Sequence, residues 1–135
     1  AEKLPVLLPI HPRTRQRMEE FGLAGNLSPA IRIVDPVGFL DILRLESSAA
    51  LILTDSGGMQ KEAFFQHVPC VTLRSETEWA ELLVDGHNRL ARPMIDSVAE
   101  KSEEALSANP DWSVDLYGTG HSSEHIVATI SSFLG

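Results

Sequence analysis

The segment "LTDSGGMQKEA" contains two adjacent glycines, Gly57 and Gly58, at the point where an apolar run becomes a helical pattern. Glycines in a first helical turn leave the backbone N–H groups at its positive end uncovered by side chains, as a diphosphate site requires. Glu62 lies one turn further on, where its carboxylate could accept hydrogen bonds from a pair of sugar hydroxyls. Alternatively, Asp55 or Ser56 caps the helix and the glycines serve only the turn. Both interpretations stay open, because the segment matches neither a Walker loop nor the usual dinucleotide fingerprint.

A second candidate group follows the first apolar run, in the segment "HPRTRQR". Pro12 can begin a helix, because its ring presets φ and its missing N–H is not needed there. His11 and Arg13 then start a run of positive charge in an acidic chain, which could face an anionic ligand. Charge runs more often form the solvated face of a helix, and the residues alone favour that interpretation. By itself, His11 is expected to be structural.

The segment "LRSETEWAE" contains a third candidate group. Ser75 and Glu78 have the spacing of a capping box and predict a helix start there, while Trp79 would suit the core equally well. No pair of histidines has the spacing and acidic company of a metal site, and no Ser or Cys lies beside an evident base. We therefore predict no metal site and no nucleophilic serine or cysteine.

All three segments follow short apolar runs that predict β-strands. The predicted strands are Leu4–Ile10, Ile31–Asp35, Ala50–Asp55, Val68–Leu73 and Asn88–Ala91. Helical spacing of apolar residues predicts helices at 14–23, 38–49, 58–67, 76–86, 97–108 and 122–134. Alternation of strands and helices with short connections predicts an α/β fold with a doubly wound, mainly parallel, Rossmann-like sheet whose strands are buried on both faces. Ligands of such folds bind at the carboxyl ends of the strands, where the three segments lie.

Size and charge limit the domain organisation and the partners. The 135 residues, 43% of them hydrophobic, suit one globular domain over residues 1–135. A net charge of −8 argues against a nucleic-acid or anionic-membrane surface, and no apolar segment is long enough to span a membrane. The single cysteine, Cys70, excludes an internal disulfide and fits a reducing, cytoplasmic setting. Because the first predicted strand begins almost at once, we expect the chain to be part of a longer protein.

Five segments carry a resemblance to a known family: "PIHPRTR", "DPVGFLDIL", "LTDSGGMQKEA", "VPCVTLRSETEW" and "YGTG". Their order and spacing resemble the C-terminal half of the non-hydrolysing UDP-N-acetylglucosamine 2-epimerases. The resemblance covers nearly the whole chain, and the stretch from Thr54 to Gly58, followed by Gln60 and Glu62, is its most specific part. It implies one half of a two-domain GT-B-type fold, with a nucleotide sugar in the cleft between the halves.

The resemblance also implies a set of UDP-binding residues. Those that would receive the diphosphate and the ribose are Ser56, Gly57, Gly58 and Glu62. Those in the loop that would lie against uracil are Val37, Phe39 and Ile42. Those that would stand at the cleft are His11, Arg13 and Trp79.

The reaction that the resemblance implies inverts the sugar carbon that bears the acetamido group. UDP is eliminated to leave a 2-acetamidoglucal and is added back with the opposite configuration, which interconverts UDP-GlcNAc and UDP-ManNAc without a cofactor. The family's catalytic acids lie in the N-terminal half, so we expect the isolated chain to be inactive and that domain to be its partner. The resemblance further implies a homodimer and a role in polysaccharide biosynthesis.

Three positions depart from the family pattern. Lys61 stands where Glu is common, Trp79 stands where many members carry Arg, and "DLYGTG" replaces an Asn-Pro-Tyr-Gly-Asp-Gly-like loop. Relatives that act on modified UDP-sugars, such as diacetamido uronates, share the tryptophan, so the sugar stays open. Two alternatives also remain: a nucleotide-binding domain of a GT-B glycosyltransferase, and a nucleotide-sugar-binding module without catalysis.

Overall fold

The computed structural model describes residues 4–135, in which helices alternate with short strands. The strands in this range are β1 (Val6–Pro9), β2 (Ile31–Val34), β3 (Ile52–Thr54), β4 (Cys70–Thr72) and β5 (Asn88–Leu90). The α-helices are α1 (Pro12–Glu20), α2 (Phe39–Ser48), α3 (Gly57–Phe65), α4 (Glu81–Val84), α5 (Val98–Ser107) and α6 (Ser122–Leu134). A short 3₁₀ turn at Ala24–Asn26 separates α1 from β2. The predicted α/β class is confirmed, and every strand pairing is parallel.

The chain divides into two compact units, the first ending at Leu45 and the second spanning Glu46–Gly135. In the first unit, β1 and β2 form a two-stranded sheet with α1 in the connection between them. Pro12 is the first residue of α1, as predicted. At the other end, Gly22 adopts a left-handed φ of +63°, and its N–H donates to the Glu19 carbonyl at 3.0 Å. The predicted helix start at Pro12 is therefore present, and Gly22 ends the helix because glycine adopts a left-handed φ without strain.

In the second unit, β3, β4 and β5 form a three-stranded sheet in that order. Helix α3 connects β3 to β4, and α4 connects β4 to β5. Two clusters form the core, one of Ile52, Ala63, Val68 and Cys70 and one of Val71, Ala91 and Ala105. Because β4 is central and fully buried, the polar side chains at its carboxyl end are held in a rigid setting.

The prediction that the strands are buried on both faces holds for β4 but is wrong for β1. Leu7 and Leu8 in β1 remain 42% and 36% exposed. The reason is that both strands of a two-stranded sheet are edge strands, and α1 contributes no buried residue to cover them. Among the described residues, no helix is both long and apolar enough to cross a membrane.

Candidate functional site

Helix α3 starts at the carboxyl end of β3 after a connection of two residues, Asp55 and Ser56. Ser56 occupies the N-cap position with an extended backbone (φ −82°, ψ 128°), but its side chain makes no capping hydrogen bond. Its N–H donates to Thr54 Oγ1 at 3.0 Å, which holds the connection against the strand. The N–H groups in the first turn of α3 are therefore not covered by the Ser56 side chain, in contrast to a capped helix start.

Gly57 and Gly58 have different surroundings. A Cβ at Gly57 would collide with the Glu78 carboxylate and lie 3.7 Å from Trp79 Nε1. That carboxylate also pairs with the Arg74 guanidinium at 3.0 Å. A Cβ at Gly58 would have its nearest neighbouring heavy atom 3.9 Å away, which is ordinary contact. A side chain at position 57 would thus require the exposed Glu78 carboxylate to move, whereas no contact among the described residues requires glycine at position 58.

Gln60 is buried in α3 and joins the start of that helix to two other segments. Its Nε2 donates to the Ser56 carbonyl at 3.3 Å, and its Oε1 accepts from the Thr77 hydroxyl at 2.6 Å and from Asn88 Nδ2 at 3.0 Å. Asn88 Oδ1 in turn accepts from the Thr72 hydroxyl of β4 at 3.0 Å. The network fixes the first turn of α3 against β4 and β5. Sequence reasoning missed this role of Gln60, because two of its partners lie 17 and 28 residues away.

Trp79 lies against the start of α3. Its Nε1 donates to the Gly57 carbonyl at 2.9 Å, and its backbone N–H donates to Thr77 Oγ1 at 3.1 Å. Lys61 Nζ lies 3.7 Å from the centroid of the Trp79 ring, which is a favourable cation–π distance. The structure therefore brings Trp79 next to Gly57 and the first turn of α3.

The capping box predicted at Ser75 and Glu78 is not formed. Helix α4 begins only at Glu81, with Ala80 at its N-cap position. The Glu78 carboxylate accepts from Arg74 Nη1 at 3.0 Å, so it is directed to a side chain and not to a helix start. The segment before α4 is instead a turn that presents Glu78 and Trp79 to α3.

The predicted loop "YGTG" also reaches this region, through Tyr117. Its ring lies 4.2 Å from Lys61 Nζ and packs edge-on against Trp79 at 6.4 Å between centroids. The hydroxyl donates to Glu81 at 2.7 Å, which lowers the pKa of Glu81. Burial, reinforced by the neighbouring Glu81, raises the pKa of Tyr117. Two aromatic rings thus hold the Lys61 ammonium beside the first turn of α3.

Glu62 is half-buried in α3 and lies beside Glu46, near the end of α2. Glu46 is only 4% exposed, and neither of its carboxyl oxygens accepts a hydrogen bond from a donor of the described residues. Burial and then the Glu62 carboxylate raise the pKa of Glu46 to about 7. Sequence reasoning missed Glu46, because an acidic residue in an amphipathic helix normally faces solvent.

The candidate residues of the first unit have local contacts or are exposed, and none of them is buried. His11 is the N-cap of α1, where its Nδ1 accepts from the Arg13 N–H at 3.2 Å, so the expected structural role of His11 is present. In the same basic run, Arg15 pairs with Asp35 at 3.1 Å. Arg13 itself is exposed. The three residues assigned to uracil begin or precede α2: Val37 and Phe39 are exposed and Ile42 is half-buried.

Metal and thiol chemistry find no support in the described part of the chain. No group of three or more His, Cys, Asp or Glu side chains between residues 4 and 135 could hold a metal ion. Cys70 is buried in the core, and burial raises its pKa to about 12. A neutral buried thiol packs as a small apolar side chain.

These features define a class of protein: a parallel α/β chain in which a glycine-containing helix start follows a strand of the sheet, as in one half of a GT-B-type fold. The family model of UDP-N-acetylglucosamine 2-epimerase matches residues 1–131. The chain belongs to the UDP-N-acetylglucosamine 2-epimerase family.

Named relatives are similar over most of the chain. A UDP-2,3-diacetamido-2,3-dideoxy-D-glucuronate 2-epimerase of Pseudomonas aeruginosa is 43% identical over 90% of this chain and 33% of its own length. A UDP-N-acetylglucosamine 2-epimerase of Methanococcus maripaludis is 44% identical over 90% of this chain and 34% of its own. The Methanocaldococcus jannaschii UDP-GlcNAc 2-epimerase, solved in complex with UDP-GlcNAc and UDP, is 39% identical, with a TM-score of 0.84 over 97% of this chain and 36% of its own. The chain thus spans about a third of the length of these relatives.

Proposed function

We propose that the chain is the UDP-binding C-terminal domain of a sugar-nucleotide 2-epimerase, and that the start of α3 receives the diphosphate. The observation that carries this proposal is the geometry at Ser56 and Gly58. The Ser56 side chain does not cap the first-turn amides, and Gly58 has no side chain that could cover them. Partial positive charge at a helix start favours an anion there. The complex of the M. jannaschii relative with UDP-GlcNAc and UDP supports the choice of ligand.

Membership of the family supports a proposed role for each of the remaining candidate residues. Glu62, one turn after Gly58, would accept hydrogen bonds from the ribose hydroxyls. The apolar side chains that would lie against uracil are Val37, Phe39 and Ile42. The residues that would line the cleft are His11, Arg13 and Trp79.

In the proposed reaction, a base removes the proton from carbon 2 of the sugar while the bond from carbon 1 to the UDP oxygen breaks. A double bond then joins carbons 1 and 2, and re-addition of UDP with protonation from the opposite face gives the epimer. Negative charge grows on the diphosphate as it leaves, so the amides and dipole of α3 would stabilise the transition state. The hydrogen leaves and returns as a proton, so the reaction needs no redox cofactor.

The sugar is proposed to be UDP-GlcNAc or its 2,3-diacetamido uronate analogue. The M. maripaludis and P. aeruginosa relatives, named for these two substrates, are almost equally similar, at 44% and 43% identity. Trp79 offers one N–H donor, already bound to the Gly57 carbonyl, where an arginine would offer a bidentate contact to an anion. Product analysis of the complete protein with both UDP-sugars would identify the substrate, and a transferred glycoside would indicate the glycosyltransferase alternative.

The binding proposal is tested by two substitutions that separate binding from folding. Gly58→Ala places a methyl group in the diphosphate path, although alanine favours the helix by up to about 1 kcal/mol. Glu62→Gln should weaken UDP more than inorganic diphosphate, because only UDP carries the ribose. Amide chemical shifts during titration are the measurement, since Kd in an isolated half-cleft is expected to be about millimolar.

Gly25→Ala is a matched control, because a Cβ at Gly25 has no neighbouring heavy atom within 4 Å. It should leave UDP binding unchanged. Two results would contradict the proposal that the diphosphate binds at the start of α3. Gly58→Ala could bind UDP as well as the parent chain does, or the amide resonances that shift on addition of UDP could lie outside residues 56–62.

We further propose that the complete protein is a cytoplasmic homodimer that serves polysaccharide biosynthesis, with the catalytic base outside these 135 residues. The chain alone should then show no epimerase activity. Incubation with UDP-GlcNAc, followed by NMR of the carbon-1 and carbon-2 protons, checks this expectation. Formation of the manno epimer above a buffer control would place the base within the chain and contradict the proposal.

A further inference from the structure

Glu46 is a buried acidic residue of the second unit, and its neighbours there include the apolar core and an acidic side chain. It lies one turn before Ala49, which packs against the core cluster of Ile52, Ala63, Val68 and Cys70. Between residues 4 and 135, the titratable groups that face it are Glu62 on α3 and Cys70 on β4. Neither is cationic, so neither can compensate a negative charge on Glu46.

A buried carboxylate without a cation or hydrogen-bond donor is costly, and the carboxyl group avoids the cost by keeping its proton. Glu46 is the more deeply buried of the two carboxyl groups, at 4% exposed beside a half-buried Glu62, so burial favours the protonated form of Glu46. A protonated Glu46 carries an O–H donor that needs an acceptor. The Glu62 carboxylate is the strong acceptor beside it, since a buried thiol such as that of Cys70 accepts hydrogen bonds only weakly.

We propose that Glu46 is a positioning residue for ribose recognition: its carboxyl O–H donates to the Glu62 carboxylate and holds that carboxylate in one orientation. The inference rests on the proposed function, in which Glu62 binds the ribose hydroxyls. One carboxylate oxygen of Glu62 would be engaged by Glu46, and its remaining acceptor capacity would be directed at the ribose. Glu46 itself need not touch the nucleotide.

The arrangement should depend on pH near neutrality. The pKa of Glu46 is raised to about 7, so at lower pH the donor is present and at higher pH it is lost. Once Glu46 is ionised, two adjacent negative charges repel, and Glu62 is no longer held toward the ribose. Ribose recognition should therefore weaken as the pH rises through about 7.

The test compares UDP with 2′-deoxy-UDP, by NMR titration of the parent chain and two variants at about pH 6 and about pH 8. The ratio of the two Kd values isolates the 2′-hydroxyl, and the ionisation of the diphosphate, common to both ligands, cancels. In the parent we expect 2′-deoxy-UDP to bind about tenfold more weakly than UDP at the lower pH, as for loss of a hydrogen bond to a charged group. At the higher pH we expect this ratio to fall about threefold or more.

The two variants separate the donor from the charge. Glu46→Gln keeps an N–H donor at every pH, so its ratio should stay high at both values. Glu46→Leu removes the donor, so its ratio should be low at both. Glu100→Gln, which removes an exposed carboxylate on α5, is the control for the change in net charge and should behave like the parent. Melting curves beside each titration show that each variant is folded.

The outcomes distinguish this inference from the function on which it rests. The inference alone is overturned if UDP binds at the start of α3 but the ratio of the Kd values for 2′-deoxy-UDP and UDP does not depend on pH. It is also overturned if this ratio in Glu46→Leu equals that of the parent. Absence of any UDP binding to the folded parent overturns the proposed function and the inference with it. Both the inference and the proposed function are supported if the Kd ratio of the parent falls as the pH rises, while the ratio is constantly high in Glu46→Gln and constantly low in Glu46→Leu.

Discussion

Replacing Gln60 with Leu should destabilise the chain by about 2 kcal/mol, although the two side chains have similar volumes. The Asn88 amide is 2% exposed, so losing its acceptor would cost about 1–3 kcal/mol. Thr77 is half-buried and its hydroxyl can turn to water, so that loss would cost about 1 kcal/mol or less. The contact to the Ser56 carbonyl, at 3.3 Å, is long and adds little. Better burial of an apolar side chain would offset about 1 kcal/mol.

Urea unfolding followed by tryptophan fluorescence measures this change, and an unchanged slope against urea would show that both states expose similar surface. Gln16→Leu is the matched control, because Gln16 is exposed on α1 and makes one hydrogen bond, to Glu20 at 2.9 Å. The control should change the free energy of unfolding by less than about 0.5 kcal/mol. If Gln60→Leu is as mild as the control, the buried network does not hold the start of α3.

Two further predictions concern the neighbours of this helix. Trp79→Phe keeps a ring under Lys61 but loses the 2.9 Å hydrogen bond to the Gly57 carbonyl, so unfolding should cost about 1 kcal/mol less; an unchanged urea midpoint would contradict this. The pKa of Glu46 is raised in the folded state from 4.5 to about 7, so its contribution to stability is complete below pH 4.5 and is lost as the pH rises through about 7. Urea titrations of Glu46→Gln across that range should show a flatter dependence than the parent, and parallel curves would be inconsistent with the raised pKa.

The elements could be predicted from the sequence because their signals are local. Pro12 marks the start of α1 and Gly22 follows its end, and both effects arise from the backbone preference of a single residue. A local signal failed at Ser75 and Glu78. Their spacing is that of a capping box, but the Glu78 carboxylate pairs with Arg74 and no helix begins there. A spacing rule states which hydrogen bond a side chain can make, and it does not state which competing partner lies closer in the folded chain.

The candidate site could be predicted only in part, for a related reason. Gly58 stands out in the sequence because a glycine in a helix is costly, and the structure supplies no packing reason for it. Gln60 and Glu46 carry no such signal, since a glutamine or a glutamate in a helix is ordinary. Their roles arise from burial, and from partners such as Asn88 that are brought close only by the sheet.

The two departures at Lys61 and Trp79 are more informative together than apart. Taken singly, the tryptophan removes a positive charge that many family members carry near the phosphates, and the lysine removes a common glutamate. In the structure the two side chains are in contact, with Lys61 Nζ 3.7 Å from the Trp79 ring and 4.2 Å from that of Tyr117. A cation is therefore retained beside the start of α3, but it comes from the helix itself and is held by aromatic faces. An arginine could reach an anion through two parallel N–H donors, whereas this ammonium acts as a point charge. If the start of α3 receives the proposed diphosphate, the exchange would alter the geometry of that contact and preserve the sign of the charge.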